Sequence, residues 1–171
     1  MPGVLPGRWC GRSGECSRVR AVLQRVTRAR VTAGEEPASE IGPGLLVLVG
    51  VGRTDTEETC RQLASKTARL RIFDDEAGRM NRSLLDARGQ ALVVSQFTLY
   101  ADASRGLRPS FTEACEPVRA RELYERFASE LAYLGVSTRR GFFGAHMAVE
   151  LVNDGPVTVI LDEPAEGRAA E

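Results

Sequence analysis

A chain of 171 residues suits one domain large enough to bury a core of its own. Its 23 Lys and Arg side chains offset 23 Asp and Glu, so no overall field draws it to nucleic acid or to a membrane, and only local patches could do so. No stretch approaches the ~20 apolar residues of a membrane helix, the N-terminus lacks the apolar region of a signal peptide, and four cysteines without a CxxC pair argue against zinc and redox motifs.

A cytoplasmic enzyme or binding protein with reduced thiols fits these limits. Residues 1–18 have no periodicity and several breakers, so a flexible extension is expected there, with Trp9 its one bulky anchor and Cys10 and Cys16 flanked by Gly and Arg. The first thirty residues are locally basic, with Arg8, Arg12, Arg18, Arg20, Arg25, Arg28 and Arg30 facing Glu15 alone. From Arg20 the pattern alternates through Ala21–Val26 and Ala29–Thr32, which predicts a strand or a bent pair of strands, with a turn at Gly34. Ile41-Gly42-Pro43-Gly44 then leads into Leu45–Val51, a continuous apolar run expected of a central strand covered on both faces.

Thr54 and Glu57 have the spacing of a capping box, and Cys60, Leu63, Ala64 and Thr67 share one face, so a helix is predicted over about residues 55–70. Leu84-Leu85-Asp86 and Arg88-Gly89 read as a turn before a strand over Ala91–Tyr100, whose second half becomes polar. In that strand Ser95 and Phe97 would share one face, Gln96 and Thr98 the other. Pro109-Ser110-Phe111 reads as a short helical entry, and Pro117 suits the first turn of a longer helix with the apolar stripe Ala120, Leu123, Tyr124, Phe127, Leu131 and Leu134.

Met147–Val152 and Val157–Leu161 are the last strand signals, interrupted by Asn153-Asp154-Gly155-Pro156. Read from residue types alone, that interruption is a hairpin turn; the other reading is a site where missing donors and side chains leave bare carbonyls open to close approach. Residues 163–171 are expected to be a disordered tail, leaving one domain over 19–162. The element order implies a mixed α/β fold, a partly closed β-barrel-like sheet with two flanking helices.

The catalytic inventory is thin. A hydrolase must activate a nucleophile and hold developing negative charge, yet His146 is the only histidine and no nucleophile elbow surrounds it. Surface or packing is the expected role of His146, and no metal site is expected from one histidine and scattered cysteines. The hydroxyls of Ser95 and Thr98 could be ordinary strand residues or parts of a site.

Three ordered motifs decide between these readings. Val94-Ser95-Gln96-Phe97-Thr98-Leu99-Tyr100-Ala101-Asp102, Gly106 with Arg108-Pro109-Ser110-Phe111, and Asn153-Asp154-Gly155-Pro156-Val157-Thr158 resemble those of the D-aminoacyl-tRNA deacylases. The likeness extends through Arg20–Val26, Ile41–Leu46, Met80-Asn81 with Ser83–Asp86, and Phe143-Gly144-Ala145 with Met147, and covers about residues 19–162. It implies that family's fold and hydrolysis of the ester joining a D-amino acid, or glycine, to the terminal adenosine of tRNA.

The resemblance further implies that Ser95, Gln96, Phe97 and Thr98 line the adenosine and ester pocket, with Ala114 and Phe143 nearby and no metal or cofactor. The RNA's own 2′-hydroxyl would help activate water. Gly155 and Pro156, joined by a cis peptide bond in the family, would be the chiral filter, their carbonyls occupying the space an L side chain needs. The family is a homodimer with its active sites at the subunit interface, so aminoacyl-tRNA and a second copy of the chain are the expected partners. Leu107 and Arg140 depart from common family forms. Two other readings are a hydrolase with Thr98 as covalent nucleophile and a non-catalytic RNA-binding barrel, the latter motivated by the arginine-rich first strand region.

Overall fold

The structure, a computed structural model, describes residues 18–164. The expected N-terminal extension, apart from Arg18, and the tail from residue 165 lie outside the described residues, and with them Trp9, Cys10 and Cys16. The elements run β1 (Arg18–Thr32), β2 (Ser39–Ile41), β3 (Gly44–Gly50), α1 (Glu57–Arg69), β4 (Phe73–Asp74), β5 (Met80–Arg82), β6 (Gln90–Ser95), a 3₁₀ helix (Phe97–Tyr100), α2 (Pro117–Tyr133), β7 (Ser137–Arg140) and β8 (Ala148–Pro164).

One sheet has the order β2-β1-β3-β6-β7, with β8 paired to the other edge of β1. β1 is long enough to pair β3 through Arg20–Val26 and β2 through Ala29–Val31, and β2 also touches β6 and β7, so the sheet curls toward closure. β3 lies between antiparallel β1 and parallel β6. It is the expected central strand. Leu45, Val47 and Val49 face a core shared with α1 and α2, while Leu46 joins Leu92, Val94, Val26 and Val31 in a second core on the opposite side. A continuous apolar run follows from two buried faces, since successive strand residues point opposite ways.

The two flanking helices are also as expected, with different details at their ends. The N-cap of α1 is Thr56, not Thr54: Thr59 N–H donates to Thr56 Oγ1 at 3.2 Å while Thr56 N–H donates to Thr59 Oγ1 at 3.0 Å. Thr59 therefore does the work expected of a Glu at the third position, and Glu57 sits in the first turn, where the helix dipole favours it. Pro117 opens α2, as its missing N–H allows, and Glu116 caps the helix through the N–H groups of Val118 and Arg119.

Four expectations change. β6 stops at Ser95 and the chain tightens into the 3₁₀ helix, so Ser95–Thr98 do not alternate between two faces of one strand. Pro109–Phe111 is not helical, because Ser110 bridges to Asp102 through two backbone hydrogen bonds of 2.8 Å. The last two strand signals form a single strand, β8. Gly155 and Pro156 sit in a bulge rather than a hairpin: Thr158 pairs Gln24 and Asn153 pairs Val26, so residues 154–157 all face the single residue Arg25. β8 also continues past Leu161, with Glu163 opposite Val19 and bonded to Lys66 at 3.3 Å, which places residues 163 and 164 in the sheet.

Candidate active site

Ser95 ends β6, and the chain turns at Gln96 into the helix carrying Phe97 and Thr98. This turn is fixed from its protein side. Gln96 N–H donates to Val49 O and Arg20 Nη1 to Leu99 O, each at 2.8 Å, and Tyr100 OH lies 3.3 Å from the buried Asp55. Asp55 also accepts from Gly52 N–H at 2.6 Å, while Arg20, bonded to Asp162 at 2.8 Å, lies 5.2 Å from the Tyr100 ring centre. Burial first, and the nearby Asp55 second, push the Tyr100 hydroxyl upward, so it remains a protonated donor.

A cavity of about 570 Å³ opens beside the turn. Its walls come from the end of β3 (Val49) with Val51 just beyond it and the end of β6 (Val94, Ser95), then Gln96 and Phe97, the segment Phe111 to Pro117, and Phe143 to Met147 with Val149. Ser95, Gln96, Phe97, Ala114 and Phe143 are thus brought to one place from three distant parts of the chain. Thr98 lies beside them but does not line the cavity; its hydroxyl accepts a hydrogen bond from Gln96 Nε2. Phe97 is 57% exposed and meets Phe111 edge to face at 5.1 Å between ring centres. Phe143 is held against Tyr124 at 5.7 Å, and Tyr124 OH donates to Val93 O at 2.8 Å.

The cavity offers little to activate a nucleophile. His146 lines it, exposed, with no hydrogen bond to Ser95 or Thr98. Cys115, which residue patterns did not single out, also lines it, but burial and then Glu116 push its thiol above the ordinary range. Burial and then Asp55 push Cys60 up to about 12. Both thiols stay protonated near neutrality, which makes them poor nucleophiles. Among the described residues, no group of three or more His, Cys, Asp or Glu could hold a metal ion. The remaining polar resources of the lining are the Ser95 hydroxyl, the Gln96 amide and the backbone N–H of Phe97, which the first turn of a helix leaves without an internal acceptor.

The Gly155–Pro156 peptide bond is cis, and the pair lies outside the lining of this cavity within the same chain. Its surroundings are tightly organised. Asn153 Nδ2 donates to Arg25 O at 2.9 Å and to Val157 O at 3.0 Å, closing the bulge at its base. The buried Arg25 donates to Ile72 O at 2.8 Å and lies 3.3 Å from Asp74. Its Nε is 3.2 Å from Asp154, close enough for an ion pair though without hydrogen-bond geometry. Gly155 has φ +120°, and a Cβ there would stand 2.8 Å from Val157 Cγ2, so only glycine fits without rearrangement. Asp154, Gly155 and Pro156 are all exposed.

Residue patterns also missed Val149, Met147 and Pro117 as cavity residues. Their placement depends on long-range pairing: Cys115 N–H donates to Val51 O at 3.0 Å, and Gly141 N–H to Val93 O at 2.8 Å, bringing two loops over the end of the sheet.

Comparison with known proteins places these features in a family. A family model described as D-Tyr-tRNA(Tyr) deacylase matches residues 22–162. A D-aminoacyl-tRNA deacylase of Roseiflexus sp. (strain RS-1) is 60% identical over 144 residues, which are 84% of this chain and 93% of that protein. A solved structure described as c-Myc DNA Unwinding Element Binding Protein superposes with a TM-score of 0.80 at 40% identity, covering 85% of this chain and 99% of the other. Another, described as a probable eukaryotic D-amino acid tRNA deacylase, shares the fold with a TM-score of 0.76 at 17% identity, again over 85% of this chain and 99% of the other. The chain, with its SQFT turn beside a cavity and its Gly-Pro bulge, belongs to the D-Tyr-tRNA(Tyr) deacylase family.

Proposed function

We propose that the protein hydrolyses the ester of D-aminoacyl-tRNA, and of glycyl-tRNA, in the cytoplasm, releasing the amino acid and reusable tRNA. The observation that carries this reading is the gathering of Ser95, Gln96, Phe97, Ala114 and Phe143 around one cavity in a chain of this family. The aromatic and apolar walls suit the terminal adenosine, and the N–H of Phe97 is available to polarise the ester carbonyl and hold its developing charge. With no base hydrogen-bonded to Ser95 or Thr98, the adenosine 2′-hydroxyl is the group that activates water. Proximity and fixed donors supply the rest.

Chirality is read by exclusion. The carbonyls of Gly155 and Pro156 fill the space an L side chain would need, whereas a D side chain points away and glycine has none. Because this pair lies outside the cavity of its own chain, it serves the cavity of a second copy, and the working unit is a homodimer with its sites at the interface. Val149 and Val152, exposed on the same strand as the bulge, give that interface apolar area.

Incubation with D-tyrosyl-tRNA and L-tyrosyl-tRNA is the test. Rapid release from the D ester and slow release from the L ester is expected, and equal, negligible release from both would overturn the reading. In the same assay Thr98→Ala should keep most activity, while a 2′-deoxy terminal adenosine should abolish it. The reverse pattern would make Thr98 a nucleophile instead.

A further inference from the structure

The segment Asp102–Ser110 leaves the body of the protein as a closed arm on the rim of the cavity. Two backbone hydrogen bonds of 2.8 Å between Asp102 and Ser110 shut its base. Its foot is braced on both sides. Phe111, next in the chain, packs its ring on Phe97 at 5.1 Å, and Arg53 N–H donates to Glu113 O at 3.1 Å. The arm is therefore coupled to the same turn that forms the cavity wall, yet every residue from Ala101 to Ser110 is exposed.

What the arm displays has no task inside the molecule. Leu107 is 103% exposed at its tip, flanked by Arg105 and Arg108, and no acidic residue lies between Ala103 and Thr112. Arg108 makes no hydrogen bond or ion pair among the described residues. Asp102, the acid within electrostatic reach of Arg105, accepts a hydrogen bond from Ser104 N–H at 2.9 Å. An apolar tip between two exposed guanidinium groups matches the chemistry of single-stranded RNA, which offers phosphates at regular intervals and unpaired base faces between them. Arg108 is three residues from the cavity-lining Phe111, a backbone reach of up to ~10 Å. The arm therefore lies within backbone reach of a strand whose last nucleoside occupies the cavity.

We propose that the arm is a clamp for the single-stranded 3′ end of the tRNA, with Arg105 and Arg108 on the phosphates preceding the terminal nucleoside and Leu107 against an unpaired base. This rests on the deacylase reading of the cavity and adds to it a separate site for the polynucleotide. The clamp contributes affinity for RNA and leaves the chemistry at the ester untouched.

Two substrates separate the roles: D-tyrosyl-tRNA, and D-tyrosyl adenosine, which carries the same ester without any phosphate. In Arg105→Ala/Arg108→Ala the KM for the tRNA should rise about tenfold at moderate salt with kcat little changed, while hydrolysis of the adenosine ester stays at the wild-type rate. The slope of log KM against log salt should fall in magnitude by about 1.4, since each single-strand phosphate contact contributes about 0.7. Arg105→Lys/Arg108→Lys should restore most of the slope. Unchanged KM for the tRNA, or equal losses on both substrates, would overturn the clamp. A shift of the double variant from dimer to monomer would instead assign the arm to the partner subunit and also overturn it. The Kd for uncharged tRNA, measured on the same variants, decides the clamp even if wild-type protein cleaves neither ester, the outcome that would sink the deacylase reading.

Discussion

Arg25 shows how much one residue can carry without any sign of it in its sequence context. It reads as one member of a basic N-terminal stretch, but it is 7% exposed and its side chain joins Ile72 O, Asp74 and Asp154 under the Gly-Pro bulge. Removing it leaves a buried carbonyl unpaired and frees the acid that precedes Gly155. Arg25→Met should therefore lower unfolding free energy by about 2 kcal/mol in chemical denaturation. It should also reduce the ratio of D- to L-tyrosyl-tRNA hydrolysis, and an unchanged ratio would mean the bulge keeps its shape without this anchor. Ser95, Gln96 and Phe97, expected together in a pocket because they lie consecutively in a motif, do line one cavity. His146, Cys115 and Val149 were not expected there, because each reaches the cavity through pairing with residues far away in the chain.

Secondary-structure elements were legible where the apolar period is long. The burial of β3 on both faces and the stripe of α2 are properties of consecutive residues, and both are present as expected. The ends of elements were not. β6 gives way to a 3₁₀ helix because Arg20 and Asp55, from other elements, bind Leu99 O and Tyr100 OH, and nothing in Ala91–Tyr100 encodes those partners. The joint between β3 and β6 gives a sharp test at this scale. A Cβ on Gly44 would stand 1.9 Å from Gln90 O, backbone against backbone, so Gly44→Ala must push apart two strands whose parallel pairing begins there. A loss of about 3 kcal/mol or more is expected in thermal or chemical unfolding, the upper end of overpacking costs. A near-neutral effect would show that this corner yields freely.

At the scale of the whole molecule, the Gly-Pro bulge and the cavity are separate features of one chain, and the proposed assembly unites them. Val152 is 42% exposed on β8, one residue before the Asn153 that closes the bulge. A charge there opposes the proposed apolar interface while leaving the cavity lining intact. Val152→Glu should halve the mass seen by sedimentation and lower D-over-L selectivity together. Retained selectivity in a monomer would detach the filter from the dimer. The motifs Ser95–Thr98 and Asn153–Thr158 determined the family, and the apolar periods determined a mixed sheet with two helices, because both are written in consecutive residues. Only the tertiary structure decided that the Gly-Pro break is a bulge facing Arg25, not a turn between two hairpin strands. It also decided that this bulge stands away from the cavity of its own chain. Both depend on how β8 registers against β1, and register is fixed by partners more than a hundred residues apart.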